Sequence, residues 1–201
     1  MSRSEYFRQQ LLESKETVVD IDFIGAPVLA LYIQWLLKGR YYEHTGFARA
    51  PSYRTACNTH TLDNIDNPQV ADTIAGVVVW CVKAGILAWK LGHRLESPKF
   101  QNYAMKRLFA AYTRERPSFQ IDGDFLAWTR DSGTALREFF EDLVIRNWGD
   151  ESLIDSEHAS WARFIKDNDN FLGEFIKAVA IPLRKRVAEP MEVEKYLLRE
   201  E

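Results

Sequence analysis

At 201 residues, with 46% hydrophobic and 27% charged side chains, the chain is long enough to bury a core and has an ordinary globular composition. A formal net charge of −3, with no basic block beyond the short LRKRV patch at residues 183–187, gives no general attraction to nucleic acid or anionic lipid. Two cysteines, Cys57 and Cys81, argue against a disulfide framework. The N-terminal MSRSEYFRQQ has no apolar signal core, so an intracellular location, cytoplasmic or nuclear, is expected.

In chain order, Ser4 is placed to cap a short helix over residues 4–12, with Tyr6, Phe7, Leu11 and Leu12 at apolar positions. The β-branched run Thr17-Val18-Val19-Asp20-Ile21 reads as a strand, the only clear strand signal in the chain. A helix follows over residues 27–37, with Pro27 in its first turn and Gly39 just past its end. Its expected apolar stripe is Leu29, Tyr32, Ile33, Leu36 and Leu37, with Trp35 adding bulk. Residues 43–66 form a long polar, turn-rich loop, a length that calls for a function or for disorder.

Residues 66–95 carry the strongest signal. Asp66 or Asn67 can cap the start, Pro68 suits the first turn, and apolar residues then cover most faces of a helix. Asp72, Lys83 and Lys90 interrupt it too often for a membrane span, so it is expected to be the central buried helix of the domain. Ser97 and Pro98 open the next helix, whose stripe is Phe100, Tyr103, Ala104, Leu108 and Phe109, packed antiparallel across a short connection. A helical section starts at Ile121. Thr134 then opens a helix to residue 147 with Leu136, Phe139, Phe140, Leu143 and Val144 facing inward. A last helical section spans residues 157–187, and Pro190 sets off a charged tail expected to be exposed and partly disordered.

Four phrases, in this order, resemble a known family. SEYF, the VVDI strand and ALYIQWLLKGRYY look like the middle of a BTB/POZ domain, and Trp35-Leu36-Leu37-Lys38-Gly39 is similar to a phrase of the fungal type, with Leu37 where Tyr is usual. Ala88-Trp89-Lys90-Leu91-Gly92-His93-Arg94-Leu95 and Phe100-Gln101-Asn102-Tyr103-Ala104-Met105 match the long helix and the next helix of such domains. Trp128-Thr129, Gly133, Leu136-Arg137 and Asp142 resemble the extension that follows many fungal BTB domains. The expected fold is mainly α with little or no β-sheet, and the resemblance implies a BTB/POZ-like helical core (helix–strand–helix–long helix–helix) over residues 1–116. A C-terminal helical extension over residues 117–188 would pack on it, with the charged tail at 189–201. A complete BTB/POZ domain has two strands and a helix ahead of the SEYF-like helix. Here only Met1-Ser2-Arg3 precede it, which leaves the strand at residues 17–21 without its usual partners and family-style homodimerisation open.

The chemistry-bearing residues are few. His44, His60, His93 and His158 are far apart, and Cys57 with His60 is at most half of a metal site, so no cofactor is expected. No phosphate loop, nucleophile elbow or HExxH is present. The expected function is therefore a non-catalytic protein–protein interaction module, not an enzyme. It would be an adaptor or scaffold that self-associates or recruits a protein partner, and the resemblance implies work in a ubiquitin ligase or transcription complex. Candidate contacts are Val18, Val19 and Ile21 by strand addition, and Tyr41, Tyr42 and Phe47 as aromatic anchors. The alternative is an all-helical ligand- or metal-binding domain using the 43–66 loop.

Overall fold

The computed structural model describes residues 26–41, 80–115, 120–130 and 134–200, and among these the regular structure is helical. The mainly α class holds there. Its one extended pairing is an isolated parallel bridge, in which the Ile121 N–H donates to the Leu153 carbonyl and the Asp155 N–H to the Ile121 carbonyl. The expected helix at 4–12, the strand at 17–21 and the loop at 43–66 lie outside the described residues.

Helix α1 (Ala26–Lys38) ends as its sequence dictates. Gly39 takes φ +70°, and its N–H donates to the Trp35 carbonyl at 2.8 Å, which closes the last turn. The buried stripe differs from the expected one. Val28, Leu31, Tyr32 and Trp35 face inward, while Ile33 is 46% and Leu37 78% exposed. Both faces are apolar in sequence, so spacing alone leaves the rotation open. The two rings decide it, since Tyr32 and Trp35 both meet Phe100, at 5.0 and 5.1 Å.

Helix α2 (Trp80–Arg94) is the described part of the central helix, and every residue from Val82 to Trp89 is buried. Lys90 survives there because its ammonium donates to the Trp128 carbonyl at 3.0 Å and lies 4.5 Å from that indole's centre. A Schellman turn ends α2. The Ser97 N–H donates to Gly92 and the Glu96 N–H to His93, with Glu96 at φ +48°. Pro98 then opens α3 (Pro98–Ala110) in its first turn.

The two helices are antiparallel and close. A Cβ on Gly85 would lie 2.6 Å from Leu108, and one on Gly92 would lie 2.7 Å from Gln101, so residues later in α2 meet residues earlier in α3. Five residues, Ala111–Glu115, continue α3 as a π-turn and carry Tyr112 into the core.

Asp122 caps α4 (Gly123–Arg130) by accepting the Phe125 N–H at 2.8 Å. Helix α5 (Thr134–Asn147) buries Leu136, Phe139, Phe140, Leu143 and Val144, the five positions its spacing predicts. Phe139 and Phe140 take Tyr112 edge-on, at 6.1 and 5.6 Å, and this joins the extension to α3. The single helical section expected over 157–187 is broken into α6 (Ser160–Lys166), α7 (Asp169–Val179) and α8 (Leu183–Arg186). Asn168 makes the first break, its side-chain amide donating to the Phe164 carbonyl at 2.6 Å, and Pro182 makes the second. Trp148, Trp161, Phe164, Phe171 and Phe175 carry the core between these helices as a chain of aromatic contacts, with successive centroids 4.7–6.1 Å apart.

The charged tail is held down rather than exposed throughout. A 3-10 turn (Val193–Tyr196) puts Tyr196 at 2% exposure, and Leu197 and Leu198 pack against the core.

Candidate functional site

The tail lies over the α3–α5 face, and two polar side chains hold it. Asn102, on α3, is 3% exposed. Its amide nitrogen donates to the Leu198 carbonyl at 2.9 Å, and its amide oxygen accepts the Leu198 N–H at 2.7 Å. The same nitrogen donates to Glu200 Oε1 at 3.0 Å. A side-chain amide has the donor and acceptor of a peptide group, so Asn102 pairs with this residue as a neighbouring strand would. Because the backbone supplies both atoms, the pairing does not depend on the side chain at position 198.

Asp142, two turns into α5, holds the other end. It accepts the Tyr196 hydroxyl at 2.7 Å and the Lys195 ammonium at 2.5 Å. The Tyr196 ring sits edge-on to Phe139, 5.4 Å between centroids. Burial, together with donation to Asp142, pushes the Tyr196 phenol well above its ordinary value. The face thus consists of an aromatic slot, a carboxylate at its mouth and an amide that reads backbone.

Two concavities flank the strap. One, of about 400 Å³, lies between the π-turn, α5 and the tail, lined by Tyr112, Leu143, Arg146, Asp150, Leu183 and Met191. The other, of about 340 Å³, lies between α5 and α7 and is lined by Asp142, Ile145, Phe171, Ile181 and the paired Glu174 and Lys177. Arg186 fixes the chain between them. Its guanidinium donates to the carbonyls of Ile145, Arg146 and Trp148 at the end of α5, where cations are favoured. Arg146 returns a bond to the Val187 carbonyl at 2.7 Å.

A third cluster brings Asp122, His158 and Ser160 together, which their separation in sequence gave no reason to expect. The His158 Nδ1 lies 2.7 Å from Ser160 Oγ and 3.9 Å from Asp122 Oδ2. A serine–histidine–aspartate relay needs the two partners on opposite ring nitrogens. Here both face Nδ1, which is not that arrangement. The cluster fastens α4 to α6 instead: Ser160 Oγ accepts the Asp124 N–H at 3.2 Å, and Arg163 pairs with Asp124.

Of the candidates read from sequence, Tyr41 alone lies among the described residues. It is 3% exposed, with its ring edge-on to Phe100 and Tyr103, so it packs into the core. Val18, Val19, Ile21, Tyr42, Phe47, Cys57 and His60 lie outside the described residues. Asn102 and Asp142 were in view only as letters of family-like phrases. A polar residue beside the apolar stripe of α3 was the sole signal for Asn102. Among the described residues no helix is long and apolar enough to cross a membrane, and no three His, Cys, Asp or Glu side chains group to hold a metal. No protein-family model, curated protein or solved structure matches the chain.

Proposed function

We propose that this chain is a non-catalytic protein–protein interaction module: a BTB/POZ-like helical core with a C-terminal helical extension, acting as an adaptor or scaffold in a ubiquitin ligase or transcription complex. The observation that carries the reading is the α3–α5 face, where the tail is held through its backbone at Leu198 by Asn102 and through Tyr196, in its 3-10 turn, by Asp142. Backbone pairing plus an anchored aromatic is how a folded domain takes another chain without reacting with it. The order of the family-like phrases, with α1, α2 and α3 falling on three of them, supports the BTB/POZ part of the reading.

Affinity capture with the full chain, followed by light scattering on the reconstituted complex, tests it. The expected result is a saturable complex of fixed stoichiometry, with a second copy or with another protein. A chain that stays monomeric and retains no protein in stoichiometric amount would end the proposal.

A further inference from the structure

Four of the six large apolar side chains exposed among the described residues, Ile176, Val179, Ile181 and Val187, fall in one short stretch. Ile176 is 58% and Ile181 46% exposed. On α7, Ile176 shares a face with Val179, three residues on, and with Ala180, four on. Ile181 and Pro182 then carry the exposed apolar surface round the turn into α8. The same stretch is basic. Residues 175–188, FIKAVAIPLRKRVA, hold four cations and no carboxylate in a chain whose net charge is −3. Two of those cations are engaged, Arg186 at the carbonyls that end α5 and Lys177 at Glu174, 2.8 Å away. Arg184 and Lys185 are exposed and enter no ion pair among the described residues. The bonds of Arg186, and that of Arg146 to the Val187 carbonyl, fasten α8 to α5, so the apolar tip and its two cations stand on a fixed mount.

We infer that the α7–α8 turn seats the protein on an anionic bilayer surface, with Ile176, Val179 and Ile181 entering the apolar boundary and Arg184 and Lys185 lying at the headgroup phosphates. Aliphatic tips beside cations need no shape-matched counterpart, only an apolar layer beneath an anionic one. The negative net charge does not oppose this, because attraction to a charged surface acts within about 10 Å at ordinary ionic strength and the local cations outweigh the total. A protein contact is the weaker fit. Such interfaces centre on aromatic anchors, whereas the aromatic residues of α7, Phe171 and Phe175, turn toward the core. The inference goes beyond the adaptor reading: it concerns where the module is held and uses none of the residues that hold the tail.

Co-sedimentation of the full chain with vesicles tests it. Vesicles of phosphatidylcholine with about a third phosphatidylserine are expected to bind the chain saturably, and pure phosphatidylcholine about tenfold more weakly or not at all. Arg184→Glu with Lys185→Glu is expected to weaken binding to the anionic vesicles about tenfold or more. Ile176→Gln with Ile181→Gln should do the same at unchanged net charge, which separates insertion from attraction alone. All four positions are exposed, and circular dichroism checks that the variants are folded. Should a double variant lose helix, the single Lys185→Glu and Ile181→Gln chains replace it, each expected to weaken binding about threefold. An unaltered chain that leaves the anionic vesicles unbound would overturn the inference, and so would isoleucine variants that bind as well as it does. If these substitutions instead abolish capture of an acidic protein while vesicles stay unbound, the patch is a protein contact and the bilayer inference fails. None of these outcomes bears on a partner taken at the α3–α5 face.

Discussion

Glu96 occupies a left-handed position that the Schellman turn between α2 and α3 requires, at φ +48°. A side chain there costs about 1 kcal/mol that glycine avoids. Glu96 is exposed, so Glu96→Gly is expected to raise stability by about 0.5–1 kcal/mol, seen as a higher urea midpoint at unchanged slope. Asn102 is the opposite case. Removing its amide strands the Leu198 N–H and carbonyl in a half-buried place, so Asn102→Ala should cost about 1–3 kcal/mol. Asn102→Asp is more telling, because it keeps the acceptor, loses the donor and sets a carboxylate against Glu200. Hydrogen exchange at residues 195–198 should then speed up while α2 and α3 keep their protection. Uniform acceleration across the chain would instead mean that the tail and the core unfold together.

At the scale of elements, glycine sets two helix contacts with different consequences. On Gly85 a new Cβ lies 2.6 Å from Cγ of the buried Leu108, a side chain that must shift rather than a backbone that must, and the helix gains about 1 kcal/mol of propensity from alanine. On Gly123 the Cβ meets the Ser160 carbonyl group at 2.8 Å, which is backbone, and a first-turn position gains less. Gly123→Ala should therefore destabilise by about 2–3 kcal/mol and Gly85→Ala by less, measured as the difference in urea midpoints. The rotation of α1 belongs to this scale too. Ile33 and Leu37 fit the helical period as well as Val28 and Leu31 do, and the partner rings on α3 choose between them. By contrast, the inward face of α5 was readable, because its other side is charged or polar at Arg137, Glu138, Glu141 and Arg146.

For the whole molecule, the alkaline limb of stability reports on the buried tyrosines. Burial raises the Tyr112 phenol, and burial plus the bond to Asp142 raises that of Tyr196. Below about pH 10 both are neutral in the folded and unfolded states and exert no pH dependence. As pH rises through the unfolded value the unfolded chain releases these protons and the folded chain holds them, so stability falls. Urea midpoints should therefore drop above about pH 10. Tyr196→Phe should soften that slope and cost about 1 kcal/mol near neutrality, since Asp142 keeps Lys195. A slope unchanged by Tyr196→Phe would remove Tyr196 as its source.

Local rules sufficed for the turns and caps. Gly39 and Pro98 act within a few residues of where they stand, and the largely apolar run of α2 announced its own burial. The breaks at Asn168 and Pro182 were also local, but a continuous apolar period hid them. The α3–α5 face was not legible, since Asn102 and Leu198 stand 96 residues apart and a polar letter near a helix stripe carries no address. Local chemistry was enough to call for helices, a buried central one among them, and a charged tail headed by Pro190. That the tail is seated emerges from the packing, because seating depends on which buried amide and which carboxylate the helices present to it.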